Sequence, residues 1–369
     1  MKFSNKVTAA AVLVFISVFS ISTFFSSHNK AADVRSSARL PRMSWSSLSD
    51  GSYFSSLSEY TAKKFSGRGD WIAAGALIKT EMCESVVNGV YISQERLLSA
   101  EIPSYGSFEE NAALINNFAE KYDGAVYAAA IPTSAGVYGD ILPSYLQQVT
   151  EKQQIDRFYD LLDTDIRRID AYSILKTLSD NYIYYRSDSK WTSYGAYCVY
   201  RTVIQKLGFL PASYDKYTVH HITDNYKGDL YKRSQYMESN SDLLDIYEYS
   251  GGAEITGCTA YDNAGKCYEW ELYDIDAAGS DDKYRLYLGE KMPFVKITAN
   301  VNNEKRLLVI GDDFAACFIP FLTQHYSEIV FVSPECMELR LKDHIDIRDY
   351  EQTLFLFGID SLSSKIKEF

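Results

Sequence analysis

The sequence predicts an α/β fold, a mostly parallel sheet flanked by helices, with a β-rich insertion. Three observations predict it. Ala125–Ile131, Leu307–Ile310, Ile329–Val332 and Thr353–Phe357 are short, nearly continuous apolar runs. They lack polar alternation, as strands buried on both faces do. Helical patterns lie between them, and strand–helix alternation argues for a sheet covered on both sides. The 369 residues, 46% hydrophobic and 23% charged, suffice for a sizeable core.

In chain order, Lys2 and Lys6 precede an uncharged apolar run from Val7 to about Ser27. About 20 such residues cross a bilayer as a helix, and the basic flank keeps the N-terminus in the cytoplasm. A cleaved signal peptide is the competing reading. Its apolar core is shorter, and Ser26-Ser27-His28 makes a poor cleavage site. The expectation is therefore an uncleaved signal anchor at 7–27, a Ser-, Ala- and Arg-rich stalk at 28–50, and an extracytoplasmic domain at 51–369. Tyr53–Phe65 has helical spacing. Val87–Leu98 reads as a hairpin. Phe108–Tyr122 is an amphipathic helix stopped by Gly124, and Ala125–Ile131 is the first buried strand. Gln154–Leu162 is a helix, and Ile169–Leu178 a strand or short helix. Thr192 or Ser193 caps a helix that Gly208 ends. Residues 215–300, rich in Tyr and punctuated by Gly, form the insertion, with β-like runs at Leu244–Tyr249 and Tyr268–Tyr273. Phe314–His325 reads as a helix between the Leu307 and Ile329 strands.

A net charge of −12 leaves no basic surplus for phosphates, so nucleic acid is not an expected partner. The six cysteines contain no Cys-x-x-Cys pair, which argues against a zinc knuckle or redox motif. Cys258 and Cys267 flank a hairpin-like stretch; a disulfide and two free thiols in adjacent strands are both open. None of the five histidines sits in a catalytic motif, and His220-His221 reads as a strand cap or solvent-facing pair rather than a metal site. No cofactor is expected. The 30 tyrosines suit sugar stacking where exposed, but core and turn packing is the default.

Two local patterns carry chemistry. Asp188-Ser189-Lys190-Trp191 stands just before a helix N-terminus. Leu307-Leu308-Val309-Ile310-Gly311-Asp312-Asp313 is a strand, a tight glycine turn and a helix start. Such a turn exposes its residues at the C-terminal edge of a sheet, where open α/β sheets bind ligands and where nucleophilic serines sit.

These segments resemble the DHHW family, membrane-anchored relatives of the SGNH hydrolases and of alginate-acetylation proteins. The resemblance extends over most of the chain beyond the anchor. It includes Arg68–Ile72, Asn88–Tyr91, Pro132-Thr133-Ser134, Trp191–Tyr197, Gly228-Asp229-Leu230-Tyr231, Pro320-Phe321-Leu322 and His325-Tyr326. It implies an SGNH-like sheet. In active members a Gly-Asp-Ser turn supplies the nucleophile, an Asp-x-His-Trp segment the base and its orienting acid, and a Gly-Gly-Asn-x-Pro stretch oxyanion contacts.

This chain departs at each place. The nucleophile position is Asp313, the base position is Lys190, and the oxyanion stretch reads Gly289-Glu290-Lys291 with Pro293 kept; Asp188 and Trp191 survive. The resemblance thus implies degenerate catalytic positions at Asp188, Lys190 and Asp313, and binding positions at Asp312, Trp191, Gly289 and Lys291. The leading reading is a non-catalytic module that binds or scaffolds envelope polysaccharide or an acylation machine. An enzyme with altered acid–base chemistry through Asp313, Asp188 and Lys190 is the second. Third, a neighbouring serine (Ser187, Ser189 or Ser193) is the nucleophile, although none lies on the strand-to-helix turn. Opposite charges at the base and nucleophile positions predict a Lys190–Asp313 ion pair, joined by Asp188.

Overall fold

The computed structural model describes residues 85–101, 104–147, 149–236, 239–338, 341 and 345–368. Before these it describes the helix 52–64 and residues 14, 17, 18, 42–45, 47, 71, 74, 75 and 78. Apart from helical Val14, Ser17 and Val18, the expected anchor lies outside the described residues, as does most of the stalk. Among the described residues no helix is long and apolar enough to cross a membrane. The chain divides into two units, Met1–Met82 and Cys83–Phe369, whereas the sequence placed the start of the domain at residue 51. The first unit contains helix α1 (Ser52–Lys64).

The second unit opens with a small antiparallel sheet of β1 (Val86–Val87), β2 (Val90–Ile92) and β3 (Leu97–Ser99). Its first turn, Asn88-Gly89, has positive φ at both residues, which Asn and Gly tolerate best. The elements that follow in chain order are α2 (Phe108–Glu120), β4 (Ala125–Ile131), α3 (Ser134–Val137), α4 (Glu151–Leu161), β5 (Arg167–Arg168), α5 (Ala171–Thr177) and α6 (Ser193–Lys206). Next come β6 (Tyr217–Tyr226), α7 (Asp229–Ser234), β7 (Asp242–Tyr249), β8 (Ile255–Tyr261), β9 (Cys267–Glu269), β10 (Phe294–Ala299), β11 (Arg306–Gly311) and α8 (Asp313–Phe318). The chain then makes β12 (Glu328–Val332), β13 (Gln352–Gly358) and α9 (Ile359–Ser363).

The main sheet has eight strands among the described residues, in the order β5-β4-β13-β11-β12-β10-β8-β9. The first five run parallel, and β10, β8 and β9 join antiparallel. Three of the insertion's strands, β8, β9 and β10, therefore extend the sheet, while β6 and β7 form a separate ribbon. The buried strands sort their side chains with period two. Tyr127, Ala129, Val309, Leu354 and Leu356 enter one core with α6; Val126, Ala128, Leu308, Phe355 and Phe357 enter the other with α2 and α4. A sheet covered on both faces is why these strands read as unbroken apolar runs.

One expectation is corrected, and two that the sequence left open are resolved. The helix expected over Phe314–His325 stops at Phe318 and tightens into a 3₁₀ turn, Ile319–Gln324. Pro320 lacks the N–H that an α-helix needs there. The Ile169–Leu178 ambiguity resolves as α5, capped by Asp170. Cys258 and Cys267 are free thiols. The register sets Tyr261, not Cys258, opposite Cys267.

Candidate active-site region

The loop before α6 is held from three sides. Asp242, buried at the start of β7, accepts hydrogen bonds from the backbone N–H groups of Arg186 and Ser187 (2.8 Å each) and from the Tyr182 hydroxyl (2.6 Å). Ser134, just past β4, donates its N–H to the Ser189 carbonyl (2.9 Å) and its hydroxyl to the Asp188 carbonyl (3.2 Å). Thr192 caps α6 through Gly195 N–H (3.1 Å). Gly195 is required by close approach, since a Cβ there would stand 2.2 Å from the Ile183 carbonyl oxygen.

This bracing fixes Asp188, which is 1% exposed. Its carboxylate accepts from the Lys190 N–H (3.0 Å), the Lys190 ammonium (3.2 Å), the Asp229 N–H (3.3 Å) and the Tyr226 hydroxyl. A Cβ on Gly228 would lie 2.3 Å from Asp188, so the glycine of Gly228-Asp229-Leu230-Tyr231 leaves room for the carboxylate. Burial pushes the Asp188 carboxyl up, but Lys190 and the hydrogen-bond donors outweigh it and hold it well below the usual carboxylate range. Burial pulls the Lys190 ammonium down, and Asp188, Asp229 and Asp313 more than reverse that, so it stays charged. Partial burial and its negative neighbour Asp188 push the Asp229 carboxyl up.

The second half of the region comes from the strand-to-helix turn. Gly311 lies against the Leu356 carbonyl, where a Cβ would sit 2.3 Å from the oxygen. Asp312, not Asp313, caps α8: its carboxylate accepts from Phe314 N–H (2.9 Å) and Gly358 N–H (2.8 Å). Burial and nearby Asp360 push Asp312 up to about 7. Asp313 pairs with Lys291 at 2.7 Å, and Lys291 also reaches Glu335 at 2.7 Å.

The structure thus brings Asp188, Lys190, Asp312, Asp313 and Lys291 together at the C-terminal edge of the parallel strands, as expected, but the pairing differs. Lys190 binds Asp188 and, at 3.9 Å, Asp229; the ion pair of Asp313 is with Lys291. The predicted direct Lys190–Asp313 pair is replaced by two neighbouring pairs, because Lys291 approaches the turn more closely. Trp191 is fully buried, 5.3 Å from the Phe314 ring and stacked on Phe318, so it is core and not a ligand contact. Gly289 adopts positive φ beside Trp270 and places the Lys291 segment. Ser187 is tied to Asp242 and Ser193 is buried against Tyr287, so neither is a free nucleophile. His220 and His221 are exposed and paired with Glu248 and Asp245. Among the described residues no cluster of metal-ligating side chains occurs.

Two cavities adjoin these groups. One of about 40 Å³ is lined by Asp312, Asp313, Lys291, Tyr284 and Ser333. The other, about 320 Å³, is lined by Thr133, Glu151, Ser189, Asp229, Arg233 and Asp360. Burial raises Glu151 to about 7, although the Thr133 N–H and hydroxyl hydrogen-bond it. Asp229 lay within a motif matched to the family and was open to discovery from the sequence. Asp242 and Asp360 had no such signal.

The fold is similar to solved structures of low sequence identity. A DHHW family protein from Eubacterium siraeum aligns with TM-score 0.66 and 20% identity, covering 76% of this chain and 94% of that one. PatB1 of Bacillus cereus, in a structure with a sulfonyl adduct, aligns with TM-score 0.63 and 22% identity over 75% and 96%. The O-acetyltransferase domain of Pseudomonas putida AlgJ is more distant, with TM-score 0.45 and 14% identity over 75% and 93%. No curated protein matches the sequence. The family model for DHHW protein matches residues 73–333, more than half of the chain, and the chain belongs to the DHHW family.

Proposed function

We propose that this protein is a non-catalytic DHHW-family member that binds or scaffolds in cell-envelope polysaccharide O-acetylation, held outside the membrane by the helix at 7–27. The observation that carries the proposal is the 2.7 Å Lys291–Asp313 ion pair at the turn where an active relative would present its serine. An acyl-enzyme route needs a hydroxyl and a neutral imidazole that takes its proton. Here the first position is a carboxylate neutralised by an ammonium. The second is Lys190, kept protonated by its acidic neighbours and unable to accept a proton. The cavity at Asp313 holds only about 40 Å³. Family membership and the resemblance to alginate-acetylation proteins support the polysaccharide setting.

The second reading, an enzyme with altered acid–base chemistry through Asp313, Asp188 and Lys190, draws on Asp312 and Glu151. Both are buried carboxyls pushed up to about 7, where a general acid works best near neutral pH. An esterase and acyl-transfer assay separates the two. It compares the wild type with Asp313→Ser plus Lys190→His, with Lys291→Asn added to remove the unpaired cation. The expected result is no turnover in the wild type and measurable turnover in the variant. Turnover in the wild type that Asp313→Asn abolishes overturns the non-catalytic reading.

A further inference from the structure

The outer face of α6 carries side chains that the active-site region does not use. Tyr194, Cys198, Arg201 and Gln205 follow one another at spacings of four, three and four, so they form one stripe along the helix. With Tyr182 and Tyr214 they line an open groove of about 810 Å³. That volume lies in the range of ligand sites.

The tyrosine rings are held in place. The Tyr182 hydroxyl donates to Asp242 (2.6 Å), and the Tyr214 hydroxyl lies 3.4 Å from that of Tyr247. The Tyr214 ring stands edge-on to Tyr194, at 5.7 Å and 83°. With their polar tips engaged by the protein, these rings offer carbon surface to the groove, and Tyr214 is 44% exposed. Arg201 and Gln205 supply the opposite chemistry. Among the described residues, neither side chain makes a hydrogen bond or an ion pair. The groove therefore combines ordered aromatic carbon with a free guanidinium fork and a free amide.

We propose that this groove binds a linear oligosaccharide of six-membered sugar rings. The C–H face of a pyranose packs on a tyrosine ring, while its rim of hydroxyls needs planar donors and acceptors of the kind Arg201 and Gln205 present. A protein partner would instead seat apolar anchors in a desolvated pocket, whereas this groove is open to solvent and sets Arg201 and Gln205 beside its rings. The proposal rests on the reading of the protein as a polysaccharide-binding family member and gives the chain a seat outside the paired-charge region. Tyr194 lies four residues beyond Lys190, so the groove begins at the same helix end.

The test is isothermal titration of the full chain with cellohexaose, chitohexaose and hexagalacturonate, using wild type, Tyr214→Ala, Tyr214→Phe and Arg201→Ala. At least one probe should bind the wild type. Tyr214→Ala should weaken it about tenfold, the scale of losing one aromatic contact, and Tyr214→Phe should retain it. A preference for hexagalacturonate that Arg201→Ala removes identifies a carboxylated chain; equal response to the neutral probes identifies a neutral one. Absence of binding to all three, or binding unmoved by both Tyr214→Ala and Arg201→Ala, overturns the groove. Arg201 is exposed and makes no hydrogen bond or ion pair among the described residues, so its variant reports binding even if Tyr214→Ala unfolds. Esterase activity in the wild type would overturn the non-catalytic reading and leave this result standing.

Discussion

Replacing Lys190 with methionine isolates the charge logic of the region. The substitution keeps an unbranched side chain of similar length and removes only the ammonium. Asp188 is 1% exposed and its partner ammonium lies 3.2 Å away. At that distance the attraction is about 5 kcal/mol with an effective dielectric of about 20. The gross figure overstates the net, because forming the pair also removed both charges from water. The cost of leaving Asp188 alone is better taken from buried pairs that lose one member, about 3–5 kcal/mol. Three hydrogen bonds remain to the carboxylate, from the Lys190 and Asp229 N–H groups and the Tyr226 hydroxyl, which favours the lower end. For a unit of this size, about 3 kcal/mol lowers Tm by about 6 °C.

The pH dependence gives the sharper assay. In the wild type the Asp188 carboxyl is depressed, so its contribution is present above the unfolded carboxylate pKa and is lost as pH falls through the folded one. Without Lys190 the leading influence left is burial, which raises that pKa. The variant's deficit should then be full at pH 7 and shrink towards pH 4, where Asp188 takes up a proton. Adding Asp188→Asn to Lys190→Met should recover much of the loss at pH 7. Urea melts at both pH values decide the matter. A variant within about 0.5 kcal/mol of the wild type at pH 7, the scale of an ordinary surface change, would refute the reasoning.

Other outcomes are expected. Asp242→Ala should cost about 3 kcal/mol, because it strands the N–H groups of Arg186 and Ser187 and the Tyr182 hydroxyl; a chemical melt matching the wild type would remove Asp242 from its bracing role. His325 is buried beside the Tyr200 hydroxyl, and burial lowers it from 6.5 to about 4. Its folded pKa lies below the unfolded one, so stability present above pH 6.5 is lost as pH falls towards 4, by about 2 kcal/mol at pH 5. His325→Gln should flatten that part of the pH–stability curve, and an unchanged slope would count against it. Protease added to intact cells should release the domain, whereas complete protection would reverse the proposed orientation.

The sequence disclosed elements whose signal is local. Leu307–Ile310 and Ala125–Ile131 have no polar face because both faces of the sheet are covered, and they appear where they were read. Thr192 announces α6 by its own hydroxyl. Features that depend on distant partners were hidden. Nothing in Ile255–Tyr261 or Phe294–Ala299 says that they pair with each other and that β10 then lies beside β12. The site positions were readable because family-matched segments flank them, yet the choice of partner was not. Lys190 and Lys291 are both cations near Asp313, and only three-dimensional approach decides that Lys291 reaches it at 2.7 Å. Asp242 lay in an unremarkable Asp-Leu-Leu stretch, and its four donors come from residues 182–187 across the fold.

The flanks of the main sheet bear on how the protein behaves at high concentration. Among the described residues the sheet ends on one side in β5, a strand of two residues, Arg167 and Arg168, both exposed. On the other it ends in β9, three residues long with Cys267 and Glu269 exposed. A long bare edge offers a row of unpaired N–H and C=O groups on which a neighbouring molecule can add a strand. The strands β5 and β9 are themselves too short to template such growth, and adjacent arginines on β5 repel a second copy arriving by the same route. Short and charged strands at the flanks make strand addition there less favourable than on a long bare edge.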